Sequence, residues 1–383
     1  MNNSEILELK KRFKFCDDAS FKIETCYVIG SEKKIQSRMN NYLTNLDESD
    51  RHKYIDILKK GLSGVLNRNL LNLSFERSMD GDDAQKFLLK IRDSELSDEA
   101  LLDDYYAKIM NAYTTVGNYL IITVYDAYDV MREGTDGFSQ RESEEVFRYI
   151  YSCICPVNLA KAALSYHEDE NVFAARIRDW VVEMPDVGFL FPAFNDRSAD
   201  VNSLLYYCKD PLLIHPEIIS DILGCVEEMT SVAENKIFHN VIEEFINEAP
   251  EYDTFEVVRN VQDSINDMLE NKVFSDEPTL DRKGVTELLK NSGIKEEHLP
   301  IVEEKFEKEL GEKGILHADR IKEKGRLEVK GENVKISVKP EASSLVEIKI
   351  IDGRKCLVIP MDSDMEVNGI IKKITAKLEE EKQ

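Results

Sequence analysis

The chain has 383 residues, 42% of them hydrophobic and 32% charged, enough apolar material for a sizeable core shared between two or three folding units. Its 74 acidic against 50 basic side chains give a net charge of −24, which favours solubility and opposes non-specific attachment to phosphate backbones or anionic lipid. No apolar run reaches the ~18 residues of a membrane span, and the opening MNNSEILELKKRF has no apolar signal core, so a cytoplasmic protein with no membrane partner is expected.

In chain order, Ile35, Met39, Tyr42, Leu43 and Leu46 recur at helical spacing, as do Tyr54, Ile55, Leu58 and Leu62, with Gly61 and Gly64 closing the second run. Two amphipathic helices are predicted there. Leu71, Leu73 and Phe75 alternate with Asn72 and Ser74, a strand with one wet face. Phe87, Leu88 and Ile91 mark a helix, and Leu101, Leu102, Tyr105, Tyr106, Ile109 and Tyr113 mark a longer one capped by Ser97 and Asp98. The run YLIITVY at 119–125 is apolar on both faces, which suits a central strand covered on both sides, and residues 146–155 read as a second long strand. Residues 164–166 and 172–175 flank the polar tip HEDEN as a hairpin. Residues 177–183 and 187–194 flank Met184, Pro185 and Asp186 in the same manner, predicting a second hairpin. Together these predict an α+β domain over 1–225, a largely antiparallel sheet with the early helices on one face.

Beyond Cys225 the periodicity turns helical, giving a helical region over 226–312. Phe238, Val241, Ile242 and Phe245 form one stripe, and Phe255, Val258, Val261, Ile265, Met268 and Leu269 another, with Asp253 and Glu256 in capping positions. The stretch FSDEPTLD breaks the period and marks a linker near 271–281. Val285, Leu288 and Leu289 then lead to Ser292 and Gly293, and Leu299, Val302, Phe306 and Leu310 lead to Gly311, with Glu304 and Lys308 spaced as an i,i+4 pair. Residues 313–383 form a small C-terminal β module. Val334, Ile336 and Val338 alternate as a strand, and Asp352 and Gly353 separate two apolar runs as the centre of a type I′ hairpin turn. A short Lys-rich helix is predicted over 370–378.

The seven cysteines are odd in number and scattered, which predicts reduced thiols. Cys153 and Cys155 share a strand face, but with no second ligand pair nearby they read as buried apolar thiols rather than part of a metal site. No phosphate-binding loop, zinc-protease spacing or nucleophile elbow is present, and no cofactor is expected. His167 beside Glu168, Asp169 and Glu170 reads as a solvated hairpin tip before a cation site. The concentration of charge among strands is richer. Asp179 and Glu183 share a strand face, so with Asp196 and Arg197 across the predicted hairpin they form a candidate catalytic or Mg²⁺-binding cluster. The competing reading has Arg178 and Arg197 pairing with these acids as structural ties. Trp180, Phe189, Phe191 and Phe194 are read as core rather than as a stacking platform for bases.

Residues 321–378 carry 12 Lys and Arg against nine Asp and Glu, so a weakly basic module joins an acidic body. Lys372, Lys373 and Lys377 on the predicted terminal helix are candidate phosphate contacts for nucleic acid.

The words NLLNLSF, VGNYLIITVYDAYDV, SCICPVNL, RIRDWVVEMPDVGFLFPAFNDRS and VEIKIIDGRKCLVIP resemble those of an uncharacterised bacterial domain-of-unknown-function family found mainly in Gram-positive anaerobes. In layout the chain is also distantly similar to the nucleoid-associated proteins of enteric bacteria, with a mixed first domain, a helical middle and closing strands. The first family carries no established activity to transfer; the expectation is a non-enzymatic cytoplasmic binding or scaffold protein with an unidentified protein partner or DNA, and the second resemblance implies a nucleoid-associated role within that class. The alternative is a metal-dependent phosphodiesterase or other hydrolase built on the acidic cluster around Asp179 to Asp200.

Overall fold

A computed structural model describes residues 1–13, 21–75, 83–130, 145–169, 171–270, 278–322, 327–339, 345–360, 365–367 and 370–372. The chain divides into two compact units, Met1–Lys236 and Ile237–Gln383.

The first unit is built on an antiparallel sheet. Its strands are β1 (Lys22–Ile29), β2 (Lys34–Tyr42), β3 (Leu70–Ser74), β4 (Asn118–Val130), β5 (Glu145–Leu159), β9 (Val187–Phe191) and β12 (Ser203–Cys208), in the spatial order β2-β1-β4-β5-β9-β12-β3. β4 and β5 form the spine, paired from Asn118↔Val157 to Val130↔Glu145. Alternate residues of each face opposite ways, so Tyr119, Ile121, Ile150 and Ile154 enter one core while Ile122, Val124, Tyr149, Tyr151, Cys153 and Cys155 enter the other. Helices cover both faces. Helices α3 (Asp83–Asp93) and α4 (Glu99–Ala112) pack on the first, together with a π-helical turn at Ile218–Ile222. Helices α1 (Asn3–Arg12) and α2 (Glu48–Gly61) pack on the second. The expectation of early helices on one face is therefore corrected: YLIITVY is apolar at every other residue in both phases because each phase has its own helical layer.

Asp98 caps α4 by accepting from the Leu101 amide at 3.1 Å, as its side chain and position predict. Three buried hydroxyls between α4 and the spine form one hydrogen-bonded group. Tyr105 donates to Ser152 Oγ at 2.8 Å, and Thr123 Oγ1 lies 2.9 Å from the same oxygen. Gly61 lets α2 come so close to β5 that a Cβ would collide with the Tyr151 hydroxyl, which itself donates to the Leu58 carbonyl at 2.9 Å. The predicted helix at Ile35 to Leu46 is instead the edge strand β2, followed by a 3-10 turn, Leu43–Asn45. A four-residue interval between Ile35 and Met39 is also two strand repeats, and the free edge of β1 offers the pairing that decides between them.

The remaining strands of this unit are β6 (Leu164–His167), β7 (Val172–Ala175), β8 (Trp180–Val182), β10 (Ala193–Asn195) and β11 (Ser198–Asp200). The β6–β7 hairpin forms as predicted. The second predicted hairpin does not. β8 pairs with β5 at residues 157–159 and β9 pairs with β5 at residues 150–154, both antiparallel, so β8 and β9 run in the same direction along one neighbour. Met184, Pro185 and Asp186 span a break between them rather than a reversal.

In the second unit α5 (Ser231–Glu248), α6 (Thr254–Glu270), α7 (Arg282–Asn291), α8 (Leu299–Leu310) and α9 (Ala318–Ile321) enclose a core of Phe238, Phe245, Val261, Ile265, Leu289 and Phe306. Asp253 caps α6 through the Phe255 and Glu256 amides at 2.9 and 3.2 Å, and α8 stops at Gly311, whose φ of 73° suits glycine. Lys308 reaches Glu244 on α5 at 3.2 Å rather than serving the expected pair with Glu304. A two-stranded pair, β13 (Thr279–Leu280) with β14 (Leu316–His317), lies beside the helices. Three hairpins follow: β15 (Leu327–Lys330) with β16 (Lys335–Val338), β17 (Glu347–Ile351) with β18 (Arg354–Val358), and β19 (Met365–Val367) with β20 (Ile370–Lys372). Asp352 and Gly353 take φ values of 51° and 75°, the left-handed pair that the turn chemistry requires. The predicted helix from residue 370 begins instead as strand β20, because Ile370 and Ile371 are β-branched and meet the facing strand β19.

Candidate functional site

The four residues of the predicted acidic cluster do not converge. Asp179 and Glu183 are exposed near the C-terminal end of β5, the Asp179 carbonyl accepting from Ala160 and the Glu183 amide donating to Pro156, each at 2.8 Å. Asp196 and Arg197 form the turn between β10 and β11. Glu183 sits beside Pro156, whereas Phe191 pairs with Ile150, about 20 Å further along β5, and the turn follows Phe191. The separation results directly from β8 and β9 running the same way. Among the described residues no group of three or more His, Cys, Asp or Glu is placed to hold a metal ion.

Asp196 and Arg197 have φ values of 50° and 58°, the left-handed geometry of a two-residue hairpin turn built without glycine. Arg197 grips Glu8 of α1 with two bonds of 2.9 and 3.0 Å, and Tyr128 donates to the same carboxylate at 2.7 Å. Despite partial burial, these donors hold the Glu8 carboxyl below its ordinary range. Arg197 is thus a structural tie to Glu8. Arg178 donates to the Ala160 carbonyl at 2.6 Å. Lys372 stands on β20, and Lys373 and Lys377 lie outside the described residues.

What stands out instead is the segment between β5 and β9. Val157 to Leu159 pair with β8, Ala160 is bonded to Asp179, Ala163 to Arg176, and β6 pairs with β7, all in one unbroken register from Val157↔Val182 to His167↔Val172. The two limbs are therefore one β-ribbon about 35 Å long at the usual rise per residue. None of its described residues from Asn158 to Met184 is buried, and nine large apolar side chains between Leu159 and Met184 are exposed. In an antiparallel pair, partners and every second residue share a face. The register therefore puts Leu164, Tyr166, Phe173, Ile177 and Val181 on one side of the ribbon, with Ala160, Ala162, Ala175 and Asp179 between them. The rings of Tyr166 and Phe173 meet across the strands, tilted by 51° with centroids 5.4 Å apart. Lys161, Arg176 and Arg178 take the opposite side. Phe189, Phe191 and Phe194 are buried as expected, but Trp180 is 57% exposed because it belongs to this ribbon and not to a helix-covered layer.

The base of the ribbon is anchored by a cluster that sequence reasoning missed. Asp186, in the break between β8 and β9, accepts from the Tyr113 hydroxyl at 2.9 Å and contacts His215 Nε2 at 3.1 Å, while its amide donates to Ile154 at 2.9 Å. The His215 bond, helped by Tyr113, holds the Asp186 carboxyl below its ordinary value against the effect of burial. Burial and the Asp186 charge push the Tyr113 hydroxyl strongly up. Positions 113, 186 and 215 carry no local spacing that could have joined them. In the second unit, a separate cavity of about 400 Å³ between α5 and α6 is lined by apolar residues such as Phe238, Ile242 and Val261 and by polar ones such as His239, Glu243 and Gln262.

With this geometry in place, the whole-length comparison is decisive at the level of family. The chain belongs to the family described as Domain of unknown function (DUF4317). Residues 1–370 match, so the sheet, the ribbon, the helical core and the closing strands as far as the first residue of β20 fall inside the family's extent. No curated protein and no solved structure matches. No described helix is long and apolar enough to cross a membrane.

Proposed function

We propose that this DUF4317 member is a cytoplasmic, non-enzymatic binding protein whose recognition element is the β-ribbon at residues 157–182. The single observation that carries the reading is an apolar ribbon face left in water. A two-stranded ribbon is marginal on its own, and exposing Leu164, Tyr166, Phe173 and Ile177 side by side is unfavourable unless something covers them. The hydrolase alternative draws no support from acids that lie at separate ends of β5. A nucleoid-associated role remains the competing binding mode, with Lys161, Arg176 and Arg178 on the ribbon's other side, but a net charge of −24 and the exposed apolar side favour protein over DNA.

The test places a photo-reactive benzoylphenylalanine at Phe173 in living cells and compares it with the same residue at Tyr42, which is 46% exposed on the edge strand β2. Discrete protein adducts at position 173 that are missing at 42 are expected. Equal, diffuse labelling at both positions overturns the reading, and adducts that collapse on nuclease treatment transfer it to nucleic acid.

A further inference from the structure

We infer that the ribbon's other side, away from the apolar face, recognises an acidic, extended segment of the protein partner, with carboxylates at two alternate positions and an apolar side chain two residues further on. The inference rests on the proposed binding role and names the chemistry that the partner presents. Three features of that side lead to it.

The first is charge. The register puts exposed Lys161, Arg176, Arg178 and Trp180 on this side with no acid among them, because Glu168 and Asp169 belong to the tip and Asp179 to the apolar side. None of the three cations forms an ion pair among the described residues, although acids outnumber bases in the chain by 74 to 50. Lys161 and Arg178 lie directly opposite each other, a like-charge pairing that destabilises a ribbon until an anion joins it. The second is spacing. Arg176, Arg178 and Trp180 follow one another at intervals of about 7 Å along one limb. An extended peptide offers alternate residues at the same interval, so one acid meets Arg176, the next meets Arg178 with Lys161 beside it, and the apolar residue meets the Trp180 indole, which is 57% exposed. The third is preorganisation. Arg178 Nε donates to the Ala160 carbonyl at 2.6 Å, which orients the guanidinium and leaves its other N–H groups for a carboxylate. A phosphate chain fits less well. Charged at every unit, it would run on toward the acidic tip at one end and a strongly acidic protein at the other, whereas a two-acid motif ends within the cationic stretch.

Trp180 is the single tryptophan of the chain, so its fluorescence reports on this side directly. The experiment titrates the full chain with the synthetic peptide Ser-Glu-Ser-Glu-Ser-Leu-Ser and follows the Trp180 emission. A saturable change is expected that weakens as salt is raised and is missing for the same peptide with glutamine in place of both glutamates. Arg176→Gln with Arg178→Gln should raise the dissociation constant at least tenfold. Arg176→Glu with Arg178→Glu should transfer binding to a peptide with lysine in place of both glutamates, a gain that unfolding of the ribbon cannot produce. Phe173→Ser, on the apolar side, should leave the titration unchanged. An emission that stays constant up to millimolar peptide overturns the inference, as does equal binding of the glutamine peptide. Tighter, arginine-dependent binding of an oligothymidylate of equal charge also overturns it and gives this side to nucleic acid. Discrete photo-adducts at Phe173 alongside a silent Trp180 would end the inference and leave the binding role standing.

Discussion

Replacing Arg12 by alanine should destabilise the first unit by about 4 kcal/mol. Arg12 ends α1 and reaches Asp126 of β4 with two bonds, Nε to Oδ2 at 3.1 Å and Nη2 to Oδ1 at 3.3 Å. The Asp126 side chain has no exposed surface, that of Arg12 is 14% exposed, and Tyr149 donates to the same carboxylate at 3.0 Å. The guanidinium also lies over the rings of Phe21 and Tyr128, at 5.0 and 5.7 Å. Removing one partner of such a buried pair leaves a charge stripped of its counter-ion, a loss of about 3–5 kcal/mol with the ring contacts included. With a urea slope of about 3 kcal/mol/M, the midpoint should fall by roughly 1.3 M. The assay is urea unfolding of the full chain followed by the near-ultraviolet dichroism of the tyrosines buried in the first unit. Asp126→Asn in the Arg12→Ala background should recover about 2 kcal/mol, because a neutral amide costs less to bury than an unpaired carboxylate. A midpoint shift below about 0.3 M for Arg12→Ala, or strict additivity of the two substitutions, would refute the argument that this pair pins α1 to the sheet.

Two further predictions concern the turn and the ribbon base. Arg197→Ala should cost about 1–2 kcal/mol by releasing Glu8, less than for the buried pair because both side chains are partly solvated, and it should leave ribbon-dependent association unchanged; a urea midpoint equal to the parent's would show that the Glu8 contact contributes nothing. Asp186→Asn should lower stability near neutrality. Since the folded-state pKa of Asp186 is depressed, its contribution is present above the unfolded value of about 3.9 and is lost as pH falls through the lower folded value, so the gap between parent and variant should close below about pH 4. Urea midpoints measured at neutral and acidic pH check this, and a gap that stays constant would mean that the charge on Asp186 plays no part.

Much of this protein follows from local order in the chain. Helices α2, α3, α4, α6, α7 and α8 announce themselves by apolar period and by caps such as Asp98, and the β17–β18 hairpin by Asp352 and Gly353, because these signals act through neighbours a few residues apart. The β19–β20 pairing had such a signal too, since Asn368 and Gly369 lie between the facing residues Val367 and Ile370. The continuous apolar run YLIITVY likewise carried the strand character of β4 and its burial on both faces, and residues 146–155 the strand character of β5.

Pairing partners were another matter. The interval from Ile35 to Met39 satisfies helix and strand alike, and only the open edge of β1 resolves it. The pattern around Met184 to Asp186 suits a hairpin as well as a break, and only the shared neighbour β5 decides that β8 and β9 run the same way, which in turn parts Glu183 from Asp196. Asp186, His215 and Tyr113 meet solely because the fold brings three distant segments together. The ribbon makes the distinction sharpest. Leu164, Tyr166, Phe173 and Trp180 are as apolar as Phe189 and Phe191, and their alternation is the same; the sequence determined that all of them would be strand residues. Whether a strand residue becomes core or exposed surface depends on whether a helical layer lies over it, and the helices cover β9 while the ribbon extends past them.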